Sequence, residues 1–268
     1  MFKPARAALN ILAPAALIAA LAAWAWGCGQ TKSEPAYKVG FNFHLIGMDG
    51  DRADAQARID AMLSVVTRMF KSVKFEVDAN EIHVYMTPDA LRLTNIDINK
   101  DADNNGWPDD MEELLTWSIN TPNKNIDIFL VKSVGDIGVL GAAGNIPGPS
   151  EKGTKHSGVL LNTFGGLFRM SPAELELQGY TLTHETIHYL GLYHTTERDG
   201  LEFDYLKDTP ECPQSNFDNN RDGLVSPSEC FNQDGPFLMF WAAGRYVQDK
   251  ISSEQASVMK VHPMARKK

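Results

Sequence analysis

Clustered positive charge is missing from this sequence. Lys and Arg number 25 against 34 Asp and Glu, a formal charge of −9, and only residues 265–268 approach a basic run. Phosphate binding needs clustered Lys and Arg, so nucleic acid is excluded as a partner class and the final run reads as a solvated tail. Internal repeats are missing too, apart from two acidic loops described below. At 268 residues the chain has room for one good-sized domain and not for two. With 43% hydrophobic and 22% charged residues, the bulk of it is expected to fold.

The chain also lacks an apolar run long enough to span a bilayer. The stretch from Ile11 to Trp26 falls short of the roughly 20 residues required and gives way to polar residues after Gly27. Lys3 and Arg6 precede it, and residues 1–27 contain no acidic residue, which is the composition of a signal peptide. The segment ends Ala25-Trp26-Gly27-Cys28, which resembles a bacterial lipobox in its small residue before a cysteine, although Ala25 and Trp26 replace the usual Leu-Ala or Leu-Ser. On that resemblance Cys28 becomes the acylated first residue, residues 28–36 form a tether, and residues 37–268 form the folded domain of an exported, membrane-anchored envelope lipoprotein. Ordinary cleavage near Ala25, giving a periplasmic or secreted protein, is the alternative.

Cysteine is scarce, at three. With Cys28 carrying lipid, Cys212 and Cys230 remain, an even number for an oxidising compartment. A bond between them closes a loop of under twenty residues, worth about 3 kcal/mol in the chain-entropy picture. Two free buried thiols are the other reading.

From Tyr37 onward, short apolar strands alternate with amphipathic helices, the pattern of an α+β fold with helices packed on a mixed sheet. Strands are expected over residues 37–46, 81–86 and 126–131, the last a nearly continuous apolar run suited to burial on both faces. Between residues 51 and 73, Ile59, Met62, Leu63, Val66, Met69, Phe70 and Val73 recur at three and four and line one face of a helix. A Gly- and Pro-rich segment, residues 138–148, reads as an exposed edge and loop. Ser171-Pro172 with Glu174 opens a further helix. After His194 the chain turns polar and irregular, then closes with an apolar turn over residues 237–241 and a last helix around residues 252–261.

Residues 183–195 read T-H-E-T-I-H-Y-L-G-L-Y-H-T and contain the pattern H-E-x-x-H-x-x-G-x-x-H. On a helix His184 and His188 lie one turn apart on one face, so both imidazoles reach a single Zn2+. Gly191 can adopt the left-handed conformation that ends the helix and lets His194 return as third ligand. Three protein ligands leave one position open, as in catalytic sites, and Glu185 sits beside the first ligand as general base. Chance would supply these five residues at these spacings roughly once in 50,000 chains of this composition.

The run H-E-T-I-H-Y-L-G-L-Y-H-T resembles the pappalysin group of metzincins. Residues 158–162, G-V-L-L-N, resemble the strand ahead of their active-site helix, and Asp208-Thr209-Pro210 resembles a motif that follows it. The resemblance implies a zincin-like fold, a twisted mixed sheet with backing and active-site helices plus a small irregular C-terminal subdomain. It implies a turn with Met239 beneath the metal, and an endopeptidase that cleaves proteins or peptides with a zinc-activated water. Relatives often carry Tyr two residues after that Met; this chain has Trp241, and an indole cannot replace a phenol with the same geometry.

Two acidic stretches fit the twelve-position calcium loop. In the first, Asp101, Asp103, Asn105, Trp107 through its carbonyl, Asp109 and Glu112 are the candidate ligands, with Gly106 at the sharp turn. In the second they are Asp218, Asn220, Asp222, Leu224 through its carbonyl, Ser226 and Glu229, with Gly223 at the turn. Neither has a convincing helix on both sides, so structural Ca2+ is expected rather than a paired sensor. A non-catalytic, calcium-stabilised surface binding lipoprotein that keeps the zincin fold is the alternative to a peptidase, and chelator-sensitive cleavage separates the two.

Overall fold

The computed structural model describes residues 36–135, 138–243 and 248–268. Residues 1–35, which hold the expected signal segment, Cys28 and most of the expected tether, lie outside the described residues.

Strand β1 (Tyr37–Ile46) alternates Val39, Phe41, Phe43 and Leu45 on one face with Asn42 and His44 on the other, all buried. Period two turns these sets to opposite faces, so the strand needs cover on both. Helix α1 (Arg52–Lys71), capped by Asp51, supplies cover for the apolar face with Ile59, Met62, Val66 and Phe70. Strand β2 (Phe75–Tyr85) then pairs in parallel with the whole of β1, with one irregularity at Phe41/Asn42. It starts six residues before the expected strand at Glu81, because Lys74 (φ +64°) turns the chain straight back along β1. Helix α2 (Pro88–Arg92), capped by Thr87, strand β3 (Asn95–Ile96) and helix α3 (Asp109–Leu115) follow, none of them foreseen from the pattern.

Strand β4 (Ile126–Val131) is buried along its length, as its continuous apolar run requires. Strand β5 (Ser133–Val134) pairs with β3, and β6 (Gly141–Ala143) and β7 (Val159–Asn162) complete the main sheet. The order is β2-β1-β4-β7-β6, parallel except for β6, which runs antiparallel to β7 at the edge. The sheet is therefore mixed, as expected.

Helix α4 (Pro172–Tyr189) begins at a capping box in which Ser171 Oγ accepts from the Glu174 amide and Glu174 accepts from the Ser171 amide. It packs against α1 at Gly179, where an added Cβ would meet Val65 Cβ at 2.7 Å and the Met62 carbonyl at 2.9 Å. Close approach of the two backbones is what that glycine permits. Beyond α4 come a short helix α5 (Gln214–Phe217), helix α6 (Ser253–Val261) with its own capping box, and strand β8 (Arg266–Lys267) on the start of β1. Cys212 and Cys230 are disulfide-bonded and buried with Val225 and Phe240, giving the irregular segment a small core of its own.

On the far face of the sheet, His44 Nε2 lies 2.9 Å from Asp127 Oδ1, and Lys152, Thr121 and Asn42 also donate to Asp127. These bonds pin the segment between β6 and β7 across the sheet, since a buried carboxylate demands such partners. Burial holds the His44 imidazole below its usual pKa, against the pull of Asp127.

Candidate active site

His184, Glu185 and His188 occupy the last turns of α4. The helix ends at Tyr189, and Gly191 (φ +109°) redirects the chain, a conformation open to glycine and strained for other residues. The Leu192 amide still bonds the Ile187 carbonyl at 3.2 Å, so the reversal is tight and His194 comes back over the helix. His194 Nε2 lies 3.3 Å from His184 Nε2 and 3.1 Å from His188 Nε2.

Their outer nitrogens fix which atom faces inward. His184 Nδ1 meets the Leu238 carbonyl at 2.7 Å and His188 Nδ1 meets the Leu192 carbonyl at 2.6 Å. A carbonyl only accepts, so each Nδ1 carries the proton and each Nε2 presents a lone pair. His194 Nδ1 faces Glu197 Oε2 at 2.9 Å, which gives the same tautomer. Three lone pairs aimed at one point repel unless a cation sits between them, and two tetrahedral ligands each about 2.0–2.1 Å from zinc stand roughly 3.3 Å apart. The donor set therefore fits Zn2+. Burial, with the His194 charge adding to it, lowers His184 to about 4, and burial also holds His188 well below its usual value. Both are neutral at pH 7, the form a metal binds.

Glu185 is buried beside His184, and burial pushes its carboxyl up to about 8, with the Ala143 backbone partly offsetting this. The residue contacts the edge strand: a Cβ on Gly141 would come within 3.0 Å of Glu185 Cγ. His184, Glu185 and His194 border a cavity of about 730 Å³. Val139, Leu140 and Gly141 line one side, Leu177, Tyr180 and Thr181 the helix side, and Phe240, Trp241 and Ala242 the other.

Met239 is fully buried, and its carbonyl accepts from the Thr195 amide at 2.8 Å, so this turn is tied to both His184, through Leu238, and the His194 loop. Trp241 turns its indole N–H away from the floor to the Val225 carbonyl at 2.7 Å, and the Arg198 guanidinium lies over its ring. The donor at this position is consumed within the protein and only the ring borders the cleft.

The two acidic loops share one backbone design. Asp101 accepts from the amides of Asn105 and Gly106, and Asp218 accepts from those of Asp222 and Gly223. Position four is left-handed in both, at Asn104 and Arg221, as is the glycine at position six. The Trp107 and Leu224 amides bond Asn105 and Asp222. In the first loop the carboxylates of Asp101, Asp103 and Asp109 lie within 4.8 Å of one another, while Glu112 is taken by Lys155 at 2.8 Å and by Asn105. In the second, Glu229 accepts from Ser226, Asn219 and Asn220. Among the described residues no triad of acids from that loop converges as the first does.

Glu197 escaped the sequence reading. The only signal was an acid three residues after the third histidine. The Leu238 and Leu192 carbonyls left no signal, since any residue supplies a carbonyl.

The sequence model of the peptidase family M43, described as pregnancy-associated plasma protein-A, matches residues 110–261. No curated protein matches significantly. Among solved structures, the chain resembles a promirolysin mutant of Tannerella forsythia, with 17% identity, a TM-score of 0.48 and coverage of 87% of this chain and 83% of that one. Metalloproteinase-II of Bacteroides fragilis matches at 14% identity and a TM-score of 0.41, over 85% of this chain; the chain spans 54% of that protein's length. Archaemetzincin of Methanopyrus kandleri matches at 14% identity and a TM-score of 0.37, over 66% of this chain and 85% of its own. The family match extends over more than half of the chain and includes the whole of the histidine motif; this chain belongs to the pregnancy-associated plasma protein-A family of peptidases, with the zincin-like α+β fold that its motif implied.

Proposed function

We propose that the chain is a zinc-dependent endopeptidase acting on proteins or peptides. The observation that carries the reading is the convergence of three imidazole Nε2 atoms beside the buried carboxyl of Glu185. His184, His188 and His194 would hold the metal. Zinc, when held, supplies a Lewis acid that polarises a carbonyl and acidifies water. A cation held by the three imidazoles would favour the carboxylate form of Glu185, which burial alone holds protonated, and that carboxylate would take a proton from water and pass it to the leaving amine. Strand β6, at the sheet edge above Glu185, offers backbone groups to an extended peptide, which would be laid across the floor of the cleft. Met239 and its neighbours hold the imidazoles in place. Trp241, with its N–H engaged, serves as an apolar wall and not as an oxyanion donor.

Calcium in both acidic loops belongs to the same reading, as a stabiliser, supported by the matched turns at Asp101 and Asp218. So does a lipid on Cys28 that anchors the protein to the bacterial envelope, supported by the signal composition of residues 1–27. The deciding experiment is digestion of a diverse peptide mixture by the zinc-loaded protein. Cleavage that chelation removes and zinc restores is expected. A zinc-loaded protein that cuts nothing overturns the peptidase reading and leaves a binding protein.

A further inference from the structure

Positive charge that is scattered along the sequence is gathered by folding around Ala36. The Ala36 amide donates to the Lys74 carbonyl at 3.2 Å, and the Ala36 carbonyl accepts from the Lys268 amide at 3.2 Å. Next along β1, Tyr37 pairs with Phe75 on one side and Lys267 on the other, and Lys38 pairs with Glu76 and Arg266. Helix α1 ends at Lys71, whose carbonyl accepts from the Lys74 amide at 3.3 Å. Lys260, in the last turn of α6, places its Nζ 5.9 Å from the centre of the Tyr37 ring. Residues 266–268 are bonded to the start of β1 and do not form the free tail that their composition suggested.

Two of these cations are neutralised, Lys38 by Asp78 at 3.2 Å and Lys268 by Glu76. Lys71, Lys74, Lys260, Arg266 and Lys267 make no ion pair among the described residues; Arg266 bonds the Asn125 side-chain oxygen instead. Lys71, Lys74 and Lys267 are exposed. On a chain of formal charge −9 this is a face of the opposite sign. Its charges repel one another, a cost that an anionic surface removes.

The position of the face in the chain says which surface. Ala36 is where the segment from Cys28 enters the fold, and residues 28–35 span at most about 29 Å when extended. An acylated Cys28 would therefore keep this face close to a bilayer without fixing which way the domain turns. Charge would fix that, since basic groups are drawn to anionic headgroups and the acidic remainder of the surface is repelled.

We propose that the face formed by Lys71, Lys74, Lys260, Arg266 and Lys267 around Ala36 docks on the anionic phospholipid headgroups of a bilayer and orients the domain there. The choice of a bilayer rests on the lipid-anchor reading, whereas the contact itself needs no acyl chain.

Residues 35–268 form one compact unit with its own core, so the disulfide-bonded chain is tested from residue 29, with neither leader nor lipid. Co-sedimentation is measured with vesicles of phosphatidylethanolamine and phosphatidylglycerol, and with vesicles of phosphatidylcholine alone. Binding to the anionic vesicles only, falling steeply as salt is raised, is expected. Lys71→Gln with Lys267→Gln should weaken it about 25-fold, at about fivefold per charge. Arg52→Gln with Lys132→Gln changes the net charge equally and should leave it within about twofold, because Arg52 opens α1 at its other end and Lys132 lies just past the C-terminal end of β4, which runs parallel to β1. The proposal is overturned if the two vesicle types bind alike, if both pairs of substitutions weaken binding equally, or if the chain binds duplex DNA or heparin and no vesicle. Failure here leaves the anchor standing, and a native Cys28 without lipid strikes the anchor while leaving the vesicle result to stand by itself.

Discussion

Glu197 Oε2 lies 2.9 Å from His194 Nδ1, so one of the three imidazoles leans on a carboxylate while the other two lean on backbone carbonyls. The hydrogen bond lowers the Glu197 pKa, so the group is an anion at neutral pH. An anion behind an imidazole raises its basicity and fixes the ring. Glu197→Ala should weaken zinc binding by about 10- to 100-fold. Glu197→Gln keeps an acceptor without the charge and should fall between that and wild type. Chelator competition measures both, and unchanged affinity in Glu197→Ala would remove Glu197 from the metal's support.

Glu185→Gln keeps the side chain's size and removes its ability to take a proton. Zinc content and melting temperature should hold, while peptide cleavage drops by roughly 10²- to 10⁴-fold. His188→Ala should lose the metal as well. Comparing zinc content with turnover for the two variants checks this, and a Glu185→Gln protein that cuts like wild type contradicts the assigned base.

Zinc-free protein should lose stability as pH falls. His184 has a folded value of about 4, below its usual 6.5, and His188 is lowered too, so over that window the unfolded chain binds more protons than the folded one. Stability from these groups is present above about pH 6.5 and is lost toward pH 4. Urea unfolding across this range on metal-free Glu185→Gln protein, which removes the opposing titration of the raised Glu185 carboxyl, measures the slope; a stability that rises on acidification over it would contradict the buried neutral histidines.

Gly179→Ala should destabilise the fold by about 1–3 kcal/mol, since the new methyl must push α1 and α4 apart. The Cβ would stand 2.7 Å from Val65 Cβ. Denaturant unfolding reads the difference. A neutral substitution would mean that the two helices separate at little cost.

Reducing the Cys212–Cys230 bond should cost about 3 kcal/mol, because it frees a loop of 18 residues in the unfolded chain. Unfolding with and without reductant measures it, and a Cys212→Ser, Cys230→Ser double variant should match the reduced protein.

Local pattern makes the candidate catalytic constellation legible in the sequence. Helical spacing sets His184 and His188 on one face, Gly191 is the residue that permits the reversal to His194, and Ser171 with Glu174 marks where the helix starts. The strands Tyr37–Ile46 and Ile126–Val131 were readable for the same reason, since period and continuous apolarity are local properties. The apolar signal of strand β2 is interrupted by Glu76 and Asp78, so the pattern shows only its second half, and its length is set by pairing with β1 instead. Tertiary structure alone decided what stands behind each imidazole, because Leu238 and Glu197 reach the site across loops that carry no periodic signal. It alone turned the Trp241 N–H onto the Val225 carbonyl. Such meetings depend on how the chain returns on itself after His194, where a disulfide and main-chain bonds, not residue periodicity, hold the path.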